Sequence, residues 1–233
     1  MNVMVDFLMC FLAAGAVFLA VGRNTLVTGT RFGALLIAVA LSVPVVHFGA
    51  PHLAKQIPNP LSDFALQDLA ELGGVDTAGL QPEEYSTLIN YNAVKHTPGM
   101  EELLAAYGVD RAGTDAAAAQ GVQAVAEYMM MPVWQALIGV TLRLLMVVVL
   151  YGVLLAVLRS LLYRRFMKLK RKSIAPLTAV FALLSMVVVM GYVVVPVFEA
   201  FRPFSMGWLD VLNWDRACAD SVVYPAFRML YLL

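Results

Sequence analysis

Apolar positions along the chain gather into four long runs, residues 3–21, 32–46, 133–158 and 174–197, separated by polar or basic stretches. Each run approaches the roughly 20 residues that a helix needs to cross a hydrocarbon core. The pattern predicts an all-α polytopic membrane protein with about four transmembrane helices. Asp6 stands near the start of the first run, no basic residue precedes it, and a second apolar segment follows. The run is therefore read as a retained span and not as a cleaved signal.

Between the second and third runs the pattern changes. Residues 51–131 alternate short amphipathic stretches with Gly and Pro punctuation, which predicts helices over 61–72, 82–94 and 100–107 and a longer one from 114 towards 131. Pro51, Pro58 and Pro60 are expected to close the second span, with Pro51 breaking its helix. Pro82-Glu83-Glu84 reads as the first turn of a helix. Beyond residue 198, Trp208, Trp214, Tyr224 and Tyr231 favour the headgroup level, so an interfacial C-terminal helix is predicted over 206–223, interrupted after Pro225. The expected division is 1–50 for two spans, 51–131 for a helical extracytoplasmic insertion, 132–198 for two further spans, and 199–233 for the tail.

Composition strengthens the membrane reading. Hydrophobic residues make up 61% and charged residues 14%, where soluble domains carry about 25% charge. Formal net charge is zero, but its distribution is uneven. Residues 159–172 hold seven of the sixteen basic side chains and no acid, whereas residues 51–131 hold eleven acids against Lys55, Lys95 and Arg111. Short basic loops stay cytoplasmic. The linker 159–173 and the turn carrying Arg23 and Arg31 are therefore expected inside, with both termini and the acidic insertion extracytoplasmic. Arg164, Arg165, Lys168, Lys170, Arg171 and Lys172 are expected against anionic headgroups of the inner leaflet.

Candidate chemistry is sparse. Arg143 lies inside an apolar run, where an ionisable group needs a partner or must snorkel to the interface. Asp6 and Glu199, at the outer ends of their spans, are the acids expected to form an intramembrane ion pair or polar site with it. Small residues four apart (Ala16 and Ala20; Ala34, Ala38 and Ser42; Gly152 and Ala156) are expected at helix-packing faces, because helices in lipid associate by close approach. His47 and His52 are five apart, about 500° around a helix, and share no face. Cys10 and Cys218 form no ligand motif. No metal, cofactor, catalytic residue or nucleic-acid partner is expected, and the chain is not expected to be an enzyme.

An acid (Asp6) opens the first span, a basic turn runs from Arg23 to Arg31, and Gly33 begins the small-residue second span. Arg164, Arg165 and Lys168 follow the third, and a polar tail carries Asp220-Ser221 and Pro225. This layout resembles the CvpA family, named for colicin V production. The resemblance implies a place in the bacterial cytoplasmic (inner) membrane, a role in colicin export or envelope homeostasis, and no catalytic site.

The expected function is that of an integral membrane accessory or assembly subunit. It contacts the lipid bilayer and binds other membrane or envelope proteins through its acidic insertion. A transporter or channel, autonomous or homo-oligomeric, with a polar route near Asp6 and Arg143, is the rival expectation.

Overall fold

The computed structural model describes residues 6, 7, 10–15, 25–166, 174–201, 221 and 223–232, and all its regular elements among them are helical. The chain divides into two compact units, one comprising residues 1–49 and 139–233, the other residues 50–138. They are called here the membrane unit and the acidic unit.

The first long helix, α1 (Thr25–Gln56), is 32 residues and passes through both Pro44 and Pro51. Pro51 therefore does not close it, contrary to expectation. Each proline forfeits one backbone bond, and the helix continues past both. Five short helices follow: α2 (Ser62–Leu72), α3 (Pro82–Leu88), α4 (Tyr91–Val94), α5 (Met100–Tyr107) and α6 (Arg111–Ala118). The helix expected over 82–94 is split, because Asn90 turns its side-chain oxygen onto the Asn92 N–H at 3.1 Å and caps a new start.

The helix expected from residue 114 is also divided, at Gly121, whose φ of +116° favours glycine. Its second part then merges with the third span as α7 (Val122–Phe166), a 45-residue helix with Pro132 inside it. The second unit ends at Ile138, within α7. The chain ends in α8 (Ala175–Val189), a π turn (Met190–Val194), α9 (Val195–Phe201) and α10 (Val223–Leu232).

Three helical segments among the described residues are long and apolar enough to cross a membrane: Thr25–Gln56, Val122–Leu161 and Ala175–Val197. The first apolar run, expected as a fourth span, lies largely outside the described residues; 6, 7 and 10–15 are helical.

Within the membrane unit, α1 and α8 run parallel. Thr25 Oγ1 is 2.7 Å from Thr178 Oγ1 and accepts from the Ile174 N–H at 2.9 Å. One turn on, a Cβ at Gly29 would sit 3.2 Å from the Phe181 ring, and Phe32 packs on the same ring with centroids 5.9 Å apart. Further along, Ser42 reaches Tyr192. Numbers rise together on both helices, so a return crossing must separate them in sequence, and α7 is that crossing. Ala34, Ala38 and Ser42 are buried.

The acidic unit has a conventional apolar core. Leu66 and Leu69 of α2, Leu104 of α5, and Val125 and Met129 of α7 are fully buried. Ala50, Ala54 and Ile138 form a smaller cluster with Leu53, Met131 and Trp134 against it. Helix α3 starts as its sequence suggests, with Pro82 in the first turn and Glu84 closing a capping box onto the Gln81 N–H at 2.8 Å.

Candidate functional site

Tyr192 is the joint of the membrane unit. It lies in the π turn, a wider helical turn that often marks functional positions, beside the buried Met190 and Gly191. Ser42 Oγ of α1 lies 2.8 Å from both Tyr192 Oη and the Val39 carbonyl. A hydroxyl has one proton to give, so in one of these contacts Ser42 accepts, and Tyr192 is the partner able to donate. Over the ring itself, the Arg143 guanidinium of α7 stands 5.3 Å from the centroid. A desolvated cation–π contact of this kind is worth about 2 kcal/mol. Three apolar helices thus meet at one aromatic side chain.

A second polar group gathers around the last helix. Ser221 donates to Asp6, and its oxygen accepts the Tyr224 N–H at 2.9 Å, capping the start of α10. Tyr224, buried, donates through its hydroxyl to Glu199 Oε1 of α9 at 2.8 Å. Arg228 Nε reaches the same oxygen at 2.9 Å. Tyr224 and Arg228 are four residues apart and so share a helix face. Pro225 does not interrupt this helix as expected; it lies in the first turn, where the missing N–H costs little. Of the helix expected over 206–223, residues 206–220 lie outside the described residues.

Among the described contacts of the three ionisable residues expected to form one site, Asp6 meets Ser221, Arg143 the Tyr192 ring, and Glu199 both Tyr224 and Arg228. Sequence reasoning did not single out Tyr192 or Arg228, and named Ser221 and Tyr224 only as a polar-tail residue and an interfacial aromatic. The four-residue spacing of Tyr224 and Arg228 was the one available signal for a shared acceptor. Ser42 was expected only as a small packing residue, and it also makes the hydrogen bond.

Gly152 and Ala156, expected at a packing face, are exposed, and a Cβ on Gly152 would meet nothing within 4 Å. Ala16 and Ala20 lie outside the described residues, as do Lys168, Lys170, Arg171 and Lys172. Arg164 and Arg165 belong to the last turn of α7. Among the described residues no group of three or more His, Cys, Asp or Glu could hold a metal. His47 and His52 are exposed, and His52 Nε2 is 2.9 Å from Gln56 Nε2.

The acidic unit carries three tyrosine–carboxylate pairs. Tyr107 donates to Asp68, Tyr91 to Asp115 at 2.9 Å, and Tyr128 to Asp110 at 2.7 Å. Burial raises the Asp68 carboxyl above its ordinary range, with the Tyr107 hydrogen bond opposing and Glu71 adding to the rise. Burial, with Asp68 beside it, also raises Tyr107. Asp110 is lowered, first by the Tyr128 hydroxyl and then by the Gly113 N–H it accepts as cap of α6. Asp63, Glu83, Glu102 and Glu127 are exposed. Arg111, one of the few bases, is bridged to Glu101 at 2.7 Å and to the Lys95 carbonyl at 2.9 Å.

The chain matches no protein-family model, no curated protein and no solved structure.

Proposed function

We propose that the protein is an accessory or assembly subunit of a bacterial envelope or export system, binding a basic protein surface through its acidic unit. The observation that carries this reading is a folded helical unit with its own apolar core whose exposed charge is predominantly acidic. A net-negative surface of this kind steers and selects basic partners more than it supplies raw affinity. The polar groups of the membrane unit weigh against a transport route. Asp6, Glu199 and Arg143 are engaged by side chains of the same chain, and such contacts join helices where a permeation path would leave groups facing water.

The layout shared with the CvpA family supports the same reading, since Asp6 and Ser221, two of the positions that carry it, are hydrogen-bonded to each other across the chain. The proposed orientation places the basic loops in the cytoplasm and both termini outside. It draws support from the contact of Thr25 with Ile174, which brings the ends of the two basic stretches to one end of the α1–α8 pair.

The test is purification of the full chain in mild detergent at native expression, beside a variant neutralised at four exposed acids (Asp63→Asn, Glu83→Gln, Glu102→Gln, Glu127→Gln). A second protein in fixed ratio, lost in the variant while amide exchange of residues 50–138 is unchanged, is the expected result. A homo-oligomer without partner that conducts ions in liposomes would instead establish the rival transporter.

A further inference from the structure

The last helix is placed to control the joint at Tyr192. Helix α10 packs on both the π turn and α9. Among the described residues it is held at two points: Tyr224 and Arg228 converge on Glu199, and Ser221, which caps its start, is bound to Asp6. The π turn lies between two sets of contacts. At the turn itself, Tyr192 is fixed to Ser42 and beneath Arg143; seven residues on, Glu199 is fixed to α10.

A π turn is a local excess of one residue within an α-helix, with poorer hydrogen-bond geometry than the turns around it. Removing the excess would rotate everything beyond it by about 100° relative to everything before. Glu199 could not then keep Tyr224 and Arg228 while Tyr192 kept Ser42 and Arg143. The contacts at its two ends thus fit the widened turn and not a continuous α-helix.

We propose that α10 is a strap that holds the π turn in its widened state, and that undocking the strap lets the turn relax to α and moves Tyr192 out of its contacts with Ser42 and Arg143. Occupancy of the C-terminal helix is in this way transmitted to the packing of α1, α7 and α8. The device does not depend on the acidic unit or on the identity of any partner. Its coupling is reciprocal, as any such linkage must be: weakening the Tyr192 contacts loosens the strap.

The test uses the full chain in lipid nanodiscs, with 3-fluorotyrosine introduced at position 192 for ¹⁹F NMR and amide exchange followed over residues 223–232. In Glu199→Gln and in Arg228→Gln, exchange of 223–232 is expected to rise at least about tenfold, and a second Tyr192 resonance to appear. The swap of Glu199→Arg with Arg228→Glu is expected to return both towards wild type. Tyr224→Phe, which removes one hydroxyl and keeps the ring, gives the same pattern with smaller amplitude and guards against variants that fail to fold. Faster exchange in 223–232 with an unchanged Tyr192 resonance would overturn the coupling. Unchanged exchange in both Glu199→Gln and Arg228→Gln would overturn Glu199 as the anchor of the strap.

Discussion

Leu66, Leu69 and Leu104 of the acidic unit are fully buried, whereas Leu144, Leu145, Val148 and Val149 of α7 in the membrane unit are exposed. The side chains are of one chemical kind, and their surroundings reverse their meaning. In the acidic unit, burial removes apolar surface from water and drives folding. In the membrane unit, an exposed leucine already lies in an apolar solvent, so burial provides little and helix association falls to close approach and polar contacts. The contacts observed follow this division. The acidic unit keeps its tyrosine–carboxylate pairs towards the rim of an apolar core, while the membrane unit uses Ser42, Tyr192, Thr25 and Thr178 between its helices. Hydrogen bonds are trimming in one unit and specification in the other.

The largest expected effect breaks the comparison at its core. Leu66→Ala or Leu104→Ala should destabilise the acidic unit by about 2–5 kcal/mol, read as faster amide exchange across residues 50–138. Leu145→Ala, of the same chemistry on α7, should change exchange in the membrane unit hardly at all. Comparable losses at both positions would mean that the exposed face of α7 is covered by protein.

Next in size is Gly113→Ala. A Cβ there would lie 2.0 Å from Tyr128 Oη, so the phenol must leave and surrender its bond to Asp110. A loss of stability is expected because this surface pair must break, less what alanine gains in helix propensity. Tyr128→Phe made together with Gly113→Ala should not recover it, since ring carbons of Tyr128 lie within 2.7 Å as well.

In the membrane unit, Tyr192 separates two contributions. Tyr192→Phe keeps the ring beneath Arg143 and loses the Ser42 bond, a change of about 0.6 kcal/mol if it behaves as other intramembrane hydrogen bonds do. Tyr192→Leu loses both, and about 2 kcal/mol is expected. Equal losses in unfolding from mixed micelles would show that the guanidinium contributes nothing at this contact.

The smallest effects concern pH in the acidic unit, and their signs oppose. Asp68 holds its proton more tightly when folded than when unfolded, so its contribution is fully present below 3.8 and is lost as pH rises through the raised value. Asp110 holds its proton less tightly when folded, so its contribution is present above 3.8 and is lost as pH falls through the lowered value. Amide exchange measured on either side of pH 3.8 should therefore flatten above it in Asp68→Asn and below it in Asp110→Asn.

How much of this was legible beforehand depended on range. Helix α5 was read at its true bounds, because left-handed Gly99 and Gly108 frame it and glycine is visible in a sequence. The first turn of α3 was legible too, since Pro82, Glu83 and Glu84 mark it locally. The ends of α1 and α7 were not. Pro51 was read as the end of the second span and instead lies inside α1, because one lost backbone bond does not by itself end a helix. At the site, Asp6, Arg143 and Glu199 stood out as ionisable groups in apolar runs, but their partners did not. Ser221 is 215 residues from Asp6, and Ser42 is 150 residues from Tyr192.

The amino-acid sequence alone determined the solvent of each segment, the helical class and the sign of charge on each loop, since these follow from local composition and short-range periodicity. Tertiary structure alone decided which polar group meets which, that α1 and α8 run parallel, and that the last helix lies on the π turn. Those pairings depend on how helices far apart in the chain are packed. In hydrocarbon, where one apolar face serves nearly as well as another, local pattern carries little of that information.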